Sequence, residues 1–475
     1  MSTTIKLPAV PQKPANVIKV RDDHRPLYFS ADGEKFKLQE GSEASWISDG
    51  QEFGQRELRE RIEPWLTSLF QSEHFSLLVG SGLTHAVHYL AAGTGATGMG
   101  AMNLTCHQDK INAAVEKSSK EAGREKGNFE DQLRVANELV RGLEILQDAQ
   151  VDVLRKELQA GMQEFAESIL KSEQGIATAQ EKQREQAFNT LVTFLMSFAS
   201  RTGTRDRLSI FTTNYDRLIE AGAEVAGLHL LDRFLGNLMP IFRSSRLDVD
   251  MHYNPPGIRG EPRYLEGVAR FIKLHGSVDW VQTGKNIRRI GLPFGADTVE
   301  PYLRAPGLGG ATAYELMIYP NAAKDRETAD YPYVELFRDL AVAVCRPNST
   351  LVTYGYGFGD EHVNRVIRDM LTIPSTHLVV ISHGDPLGRV MQTYEQIGRP
   401  SQISLLLGPV VADLTTLTEN YLLRQIVFLL KFPLPKAAID KATFRMSELL
   451  KQRFGTQQSA LKTKGTDAVE GGGEL

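Results

Sequence analysis

Phe75-Ser-Leu-Leu-Val-Gly-Ser-Gly-Leu-Thr84 decides how this chain folds. The apolar run Phe75–Val79 followed by Gly80 and Gly82 reads as a buried parallel strand running into a tight turn, with a helix predicted through Leu90. Just before it, Leu58, Ile62, Trp65, Leu66 and Leu69 fall at helical spacing between Glu57 and Phe70. The strand signal returns at Leu208–Thr212, Phe271–Leu274, Thr350–Tyr354 and His377–Ser382, and a helix is predicted from Asp216 to Ala226. Strands alternating with helices predict an α/β, Rossmann-like, doubly wound parallel sheet, whose ligands bind beyond the carboxyl ends of the strands.

Between about Asn128 and Ser200 the pattern changes. No proline occurs there, and apolar residues recur at helical period in three series, through Leu133–Ile145, Val151–Ile169 and Phe188–Met196, with breaks expected near Gly175 and Gly203. This predicts a helical module inserted into the α/β domain at about 104–203. The spacing drifts from a heptad, so packing against the core is favoured over a coiled coil. The remaining boundaries follow from composition. Residues 1–62, with Pro8, Pro11 and Pro14 and short alternations near Pro26–Ser30 and Glu34–Leu38, form a small N-terminal appendage. The α/β domain spans 63–400, a strand (Ser404–Leu407) and helices follow over 401–454, and 455–475 is a polar tail expected to be disordered. Gly257, Gly295 and Gly307–Gly310 predict long loops between 240 and 320 that cover the ligand.

Lys and Arg number 54 against 58 Asp and Glu, a net charge of −4, so no global basic field recruits nucleic acid and no direct sequence-specific binding to it is expected. Two cysteines, Cys106 and Cys345, are too few for a disulfide framework and fit a reducing, cytoplasmic setting. The first residues lack the apolar block of a secretion signal, and no stretch has the roughly 18 uncharged apolar residues of a membrane span.

Three motifs stand at predicted strand ends. Gly80 and Gly82 allow backbone N–H groups to approach a pyrophosphate in front of a helix N-terminus, although such turns are also common without a ligand. Asn214, in Thr212-Thr-Asn-Tyr-Asp216, is either a turn and cap residue or a catalytic group. His275, in Phe271-Ile-Lys-Leu-His-Gly-Ser-Val278, is either a satisfied structural histidine or a proton acceptor near neutral pH. Asp360-Glu-His362 offers metal-ligand residue types, but Asp360 before Val363, Ile367 and Leu371 reads as a helix N-cap.

In this order the motifs resemble the sirtuin family of NAD-consuming proteins. Its glycine-rich turn looks like Gly80-Ser-Gly-Leu-Thr84, its Thr-Gln-Asn-x-Asp element like Thr212–Asp216 and its His-Gly element like His275-Gly276. Its Gly-Thr-Ser loop is matched loosely by Gly355–Phe358. Tyr354-Gly-Tyr-Gly-Phe-Gly-Asp-Glu-His-Val363 is similar to the Gly-Tyr-Ser-Phe-x-Asp pattern of the bacterial anti-phage defence branch of sirtuin-like proteins. The resemblance implies catalytic roles for Asn214, which orients the nicotinamide ribose and a water, and for His275, a base toward a ribose hydroxyl. It implies binding of NAD, as substrate, by Gly80, Ser81, Gly82, Thr84, Thr213, Asp216, Gly355, Tyr356, Gly357 and Ser382. Asp216 reads mainly as a cap or an orienter of its neighbours.

The family's Pro-Asp-Phe-Arg segment is replaced by His85–Leu90, and two cysteines cannot build its four-cysteine zinc ribbon, so no zinc and no deacylation are expected. The resemblance implies an NAD glycohydrolase that releases nicotinamide and ADP-ribose and depletes NAD in bacterial anti-phage defence. Alternatives are a non-catalytic NAD or ADP-ribose sensor gating a partner, and a protein ADP-ribosyltransferase. The first 60 residues, the helical insert and the C-terminal helices exceed what the nucleotide fold requires and are expected to supply surfaces for a homo-oligomer, and sirtuin-like chains of this general build resemble those paired with a HerA-type ATPase, the partner this implies.

Overall fold

The computed structural model of the chain describes residues 16–47, 52–98, 100–121, 127, 129–199, 206–253, 263–265, 267–309, 311–312, 316 and 331–422. At its centre is an eleven-stranded sheet. Its strands are β1 (Asn16–Lys19), β2 (Leu27–Asp32), β3 (Lys35–Leu38), β4 (Phe53–Gly54), β5 (His74–Val79), β6 (Ser209–Thr212), β7 (His229–Leu231), β8 (Val268–Lys273), β9 (Ser349–Tyr354), β10 (His377–Ser382) and β11 (Ile403–Leu407). Helices α1 (Gln55–Phe70), α2 (Ser81–Ala92), α3 (Gln108–Glu121), α4 (Phe129–Leu146), α5 (Val151–Ala177), α6 (Glu181–Ala199), α7 (Leu218–Ala226), α8 (Tyr333–Val344), α9 (Glu361–Met370) and α10 (Arg389–Ile397) complete the frame.

The strands lie in the order β4-β3-β2-β1-β11-β10-β9-β5-β6-β8-β7. From β11 to β7 every neighbouring pair is parallel, with Leu77 of β5 in register with Val352 on one side and Ile210 on the other. Without the short edge strand β7, and counted from β5, these strands run 3-2-1-4-5-6. That is the doubly wound dinucleotide-binding order, and its direction of winding reverses between β5 and β9. Alternate side chains of each strand enter opposite cores. Leu77, Val79, Ile210 and Val352 pack with α1, α2, α6 and α7, whereas Leu78, Phe211, Ile272 and Leu351 pack with α8, α9 and α10.

Two sequence expectations change shape. Within the segment 1–62 set apart as an appendage, residues 16–47 and 52–54 form β1–β4 and extend the sheet antiparallel from β11, burying Ile18 and Phe29 completely. The stretch expected as long loops contains most of a small sheet, Trp280–Thr283, Asn286–Arg289 and Ile241–Phe242, with Phe234–Leu235 just before it, because the turn at Gly284 (φ +58°) folds Trp280–Thr283 back on Asn286–Arg289 as a hairpin. The break expected near Gly175 falls just after it, between the end of α5 at Ala177 and the start of α6 at Glu181; a Cβ at 175 would lie 2.3 Å from His88 Nε2, so the glycine itself serves close packing on α2. Gly203, Gly257, Gly310 and the segments expected after residue 422 lie outside the described residues.

The helical insert forms α3–α6, and its own core (Leu133, Leu154, Leu158, Met162, Phe165) continues onto Val278, Val281 and Ile290. Among the described residues no helix is long and apolar enough to cross a membrane.

Candidate active site

A cavity of about 340 Å³ opens beyond the carboxyl ends of β5, β6, β8 and β9, at the reversal of winding. Of the residues singled out from sequence, Gly80, Ser81, Thr84, Thr213, Asn214, Asp216, His275, Tyr356 and Gly357 line it. Gly82, Gly355 and Ser382 do not. Gly82 donates its N–H to Gly355 O at 3.0 Å, and a Cβ on Gly82 would fall 2.5 Å from Gly355 Cα. These glycines let the β5 and β9 turns touch backbone to backbone, a reason distinct from phosphate approach. Ser382 Oγ donates to Gly384 O at 2.8 Å.

Asn214 is held on three sides. Its N–H donates to Thr212 Oγ1, and its amide Nδ2 donates to Gly80 O and Thr84 Oγ1, all at 3.0 Å. With both amide hydrogens engaged, Oδ1 is the atom it can offer a ligand, as an acceptor. Thr84 Oγ1 in turn donates to Asp216 Oδ2 at 2.7 Å, while Asp216 Oδ1 accepts from Leu218 N at 3.0 Å. Asp216 therefore orients Thr84 and, through it, Asn214.

His275 follows β8, and Gly276 (φ +91°) turns the chain away directly after it. Its Nε2 lies 2.6 Å from Asp360 Oδ2, with both residues buried. Asp360 is also the N-cap of α9, its Oδ1 accepting from His362 N at 2.9 Å. The cap was legible in the sequence; the bond to His275, across 85 positions, was not. An ionised Asp360 keeps the proton on Nε2 and leaves the lone pair on Nδ1, the arrangement a general base needs.

Sequence reasoning also missed the wall supplied by the insert: Phe165, Ser168, Ile169 and Ser172 of α5 and Glu130 of α4. Tyr215 Oη donates to Glu130 Oε1 at 3.2 Å, and its ring meets Phe165 edge-on at 5.5 Å. Burial pushes the Tyr215 and Tyr356 hydroxyls well above the usual tyrosine range, so both stay neutral. Lys273, two positions before His275, donates to the Asp216 carbonyl and to Glu220 Oε1 at 3.0 Å. Burial raises Glu220 to about 7, against the opposing pull of Lys273. Among the described residues no group of three or more His, Cys, Asp or Glu is placed to hold a metal ion.

This geometry agrees with the comparisons. Residues 208–397 match the model of a family described as a SIR2-like domain, which supports a sirtuin-like family for the stretch carrying Asn214, His275 and Asp360. SIR2-like domains use NAD, so the match is consistent with NAD-related chemistry. The glycine turn of β5 and the insert lie outside the matched residues and join the site only through the fold. A search of curated proteins finds none that matches the chain.

Proposed function

We propose that the chain hydrolyses NAD at its nicotinamide–ribose bond, releasing nicotinamide and ADP-ribose. The observation that carries this reading is the juxtaposition, in one cavity at the sheet's reversal, of an Asn214 with its amide hydrogens engaged and a His275 held by Asp360. Cleavage of the bond needs little acid, because nicotinamide leaves from a cationic pyridinium as a neutral molecule. It does need a placed nucleophile for the oxocarbenium-like anomeric carbon. Asn214 Oδ1 accepts from water or a ribose hydroxyl and fixes its position; His275 Nδ1 takes the proton released as the new carbon–oxygen bond forms.

The test is incubation of the purified protein with NAD and chromatographic detection of nicotinamide and ADP-ribose in equal amounts. Intact NAD together with tight ADP-ribose binding would instead favour a sensor. Transfer of ADP-ribose onto a protein would show a side chain replacing water.

NAD depletion in the bacterial cytoplasm, a homo-oligomeric state and a HerA-type ATPase partner belong to the same proposal. The resemblance of the Tyr354–Val363 stretch to the defence branch supports the first, the segments beyond the nucleotide fold support assembly, and the likeness of the chain's general build to HerA-paired sirtuin-like chains supports the partner. Light scattering, with and without the co-expressed ATPase, tests the assembly.

A further inference from the structure

One charged group in the cavity has no counterpart. Arg389, the first residue of α10, is the one Arg or Lys among the described residues that line it. Its Nε is buried and has no hydrogen-bond partner, and no carboxylate among the described residues pairs with it. The carboxylates nearby are already engaged: Asp216 by Thr84 and Leu218 N, Asp360 by His275 and His362 N, and Glu130 by Tyr215. Asp385, on the loop before α10, turns its oxygens to Val390 N at 3.2 Å and Met391 N at 3.0 Å, capping the helix instead of the guanidinium.

The position of the guanidinium is built into the neighbouring loop. A Cβ on Gly359 would fall 2.7 Å from Arg389 Nη1, so the absence of a side chain at 359 is what leaves room for the group there. A half-buried guanidinium without a partner is costly unless a ligand completes it, and its planar fork of donors fits a phosphate. In the same cavity, α2 presents its N-terminus at Gly80 and Ser81 with no side-chain cap, a second element that favours negative charge.

We propose that Arg389 anchors a phosphate subsite that grips the bridging diphosphate of the dinucleotide in the cavity it shares with the α2 N-terminus. The identity of the dinucleotide rests on the function proposed above; the anion subsite stands on Arg389 itself. It places the charged middle of the substrate between β5 and β9, leaving Asn214 and His275 for the nicotinamide ribose.

Calorimetric titration of the full chain with inorganic pyrophosphate, ADP-ribose and adenosine tests this on the wild type and on Arg389→Gln, Arg389→Lys and Gly359→Ala, with thermal melting to confirm folding. Gly359→Ala meets only the far end of a flexible side chain, so it displaces the guanidinium while keeping the fold. Arg389→Gln is expected to weaken pyrophosphate and ADP-ribose about tenfold or more and to leave adenosine unchanged, with Arg389→Lys and Gly359→Ala between it and the wild type. Wild-type affinity for both anions in Arg389→Gln overturns the proposal. A loss confined to 2′-phosphorylated ADP-ribose, titrated alongside, with ADP-ribose itself unaffected, would assign Arg389 to a 2′-phosphate and overturn the diphosphate assignment. Pyrophosphate binding that depends on Arg389 in a protein that leaves NAD intact upholds the subsite and removes the hydrolase reading instead.

Discussion

Asp360 holds His275 through one carboxylate oxygen, at 2.6 Å, and caps α9 through the other, at 2.9 Å. The imidazole is thereby fixed to a helix terminus, and its orientation does not depend on a mobile loop. Asp360→Asn keeps a competent cap, since asparagine caps as well as aspartate, but no longer enforces the Nε2–H tautomer. NAD turnover should fall on the order of 10²- to 10⁴-fold while stability changes by under about 1 kcal/mol, read by chromatography and calorimetry. Wild-type turnover in this variant would show that the pair is structural.

His275→Ala and Asn214→Ala should each abolish NAD loss. Asn214→Ala also takes from Thr84 Oγ1 the amide donor it accepts from and leaves Gly80 O with the donor from Leu83 N alone among these contacts, at 3.2 Å. We expect it to cost about 1–3 kcal/mol, visible as a lowered melting temperature in a protein that still folds. Substantial NAD cleavage in either variant would remove these residues from the mechanism.

The two kinds of glycine at the site can be separated. Gly82→Ala puts a Cβ 2.5 Å from Gly355 Cα, backbone against backbone, and should destabilise severely or prevent folding. Gly357 lines the cavity with nothing within 4 Å of a built Cβ, so Gly357→Ala should melt like the wild type. Equal stability of the two variants would contradict the packing role of the Gly82–Gly355 contact.

The frame of the molecule was legible because each central strand is a short apolar run whose alternation feeds two cores, as Leu77 and Leu78 do. The site was legible only where a motif sits at the end of its own strand, as Asn214 and His275 do. Asp360 could be read as a cap because capping is local; its second bond depends on how β8 and the turn after β9 meet. Arg389 and the α5 wall carry no local signal, since a basic residue opening an exposed-looking helix and an apolar helical stripe both read as ordinary surface and core. β1–β4 were missed as part of the sheet because antiparallel pairing with the distant β11 leaves no trace in the spacing of either strand.

Glu220 predicts a pH dependence of stability. Its carboxyl titrates at 4.5 when unperturbed and at about 7 in the fold, raised by burial and opposed by Lys273. The folded chain thus binds more protons than the unfolded chain between these values, so this contribution is complete below about 4.5 and is lost as pH rises through about 7. The loss amounts to about 3 kcal/mol at most. Denaturation series from pH 5 to 8 should show this decline in the wild type and a flatter profile in Glu220→Gln. Identical slopes would show that the carboxylate is ionised throughout.

Glu173 of α5 ties the insert to the catalytic loop. Its Oε1 accepts from Arg217 N at 2.8 Å and from Arg217 Nε at 3.1 Å, its Oε2 accepts from Arg217 Nη2, and the guanidinium also donates to the carbonyls of Leu292 and Pro293. Both side chains are buried, and burial raises the Glu173 carboxyl despite the arginine beside it. Glu173→Ala leaves a buried guanidinium without its carboxylate and should cost about 3–5 kcal/mol, whereas removing both charges together, in Glu173→Ala with Arg217→Met, should restore part of that loss. The pair flanks the site directly: Ser172 lines the cavity from α5 and Asp216 from the loop after β6. Loosening it should therefore raise KM for NAD more than it lowers kcat, because the wall that confines the substrate moves while Asn214, His275 and Asp360 keep their own bonds. Urea denaturation and steady-state kinetics on the two variants check both halves; a Glu173→Ala chain as stable as the wild type, or one that loses only kcat, would mean that the insert is held by its apolar core alone.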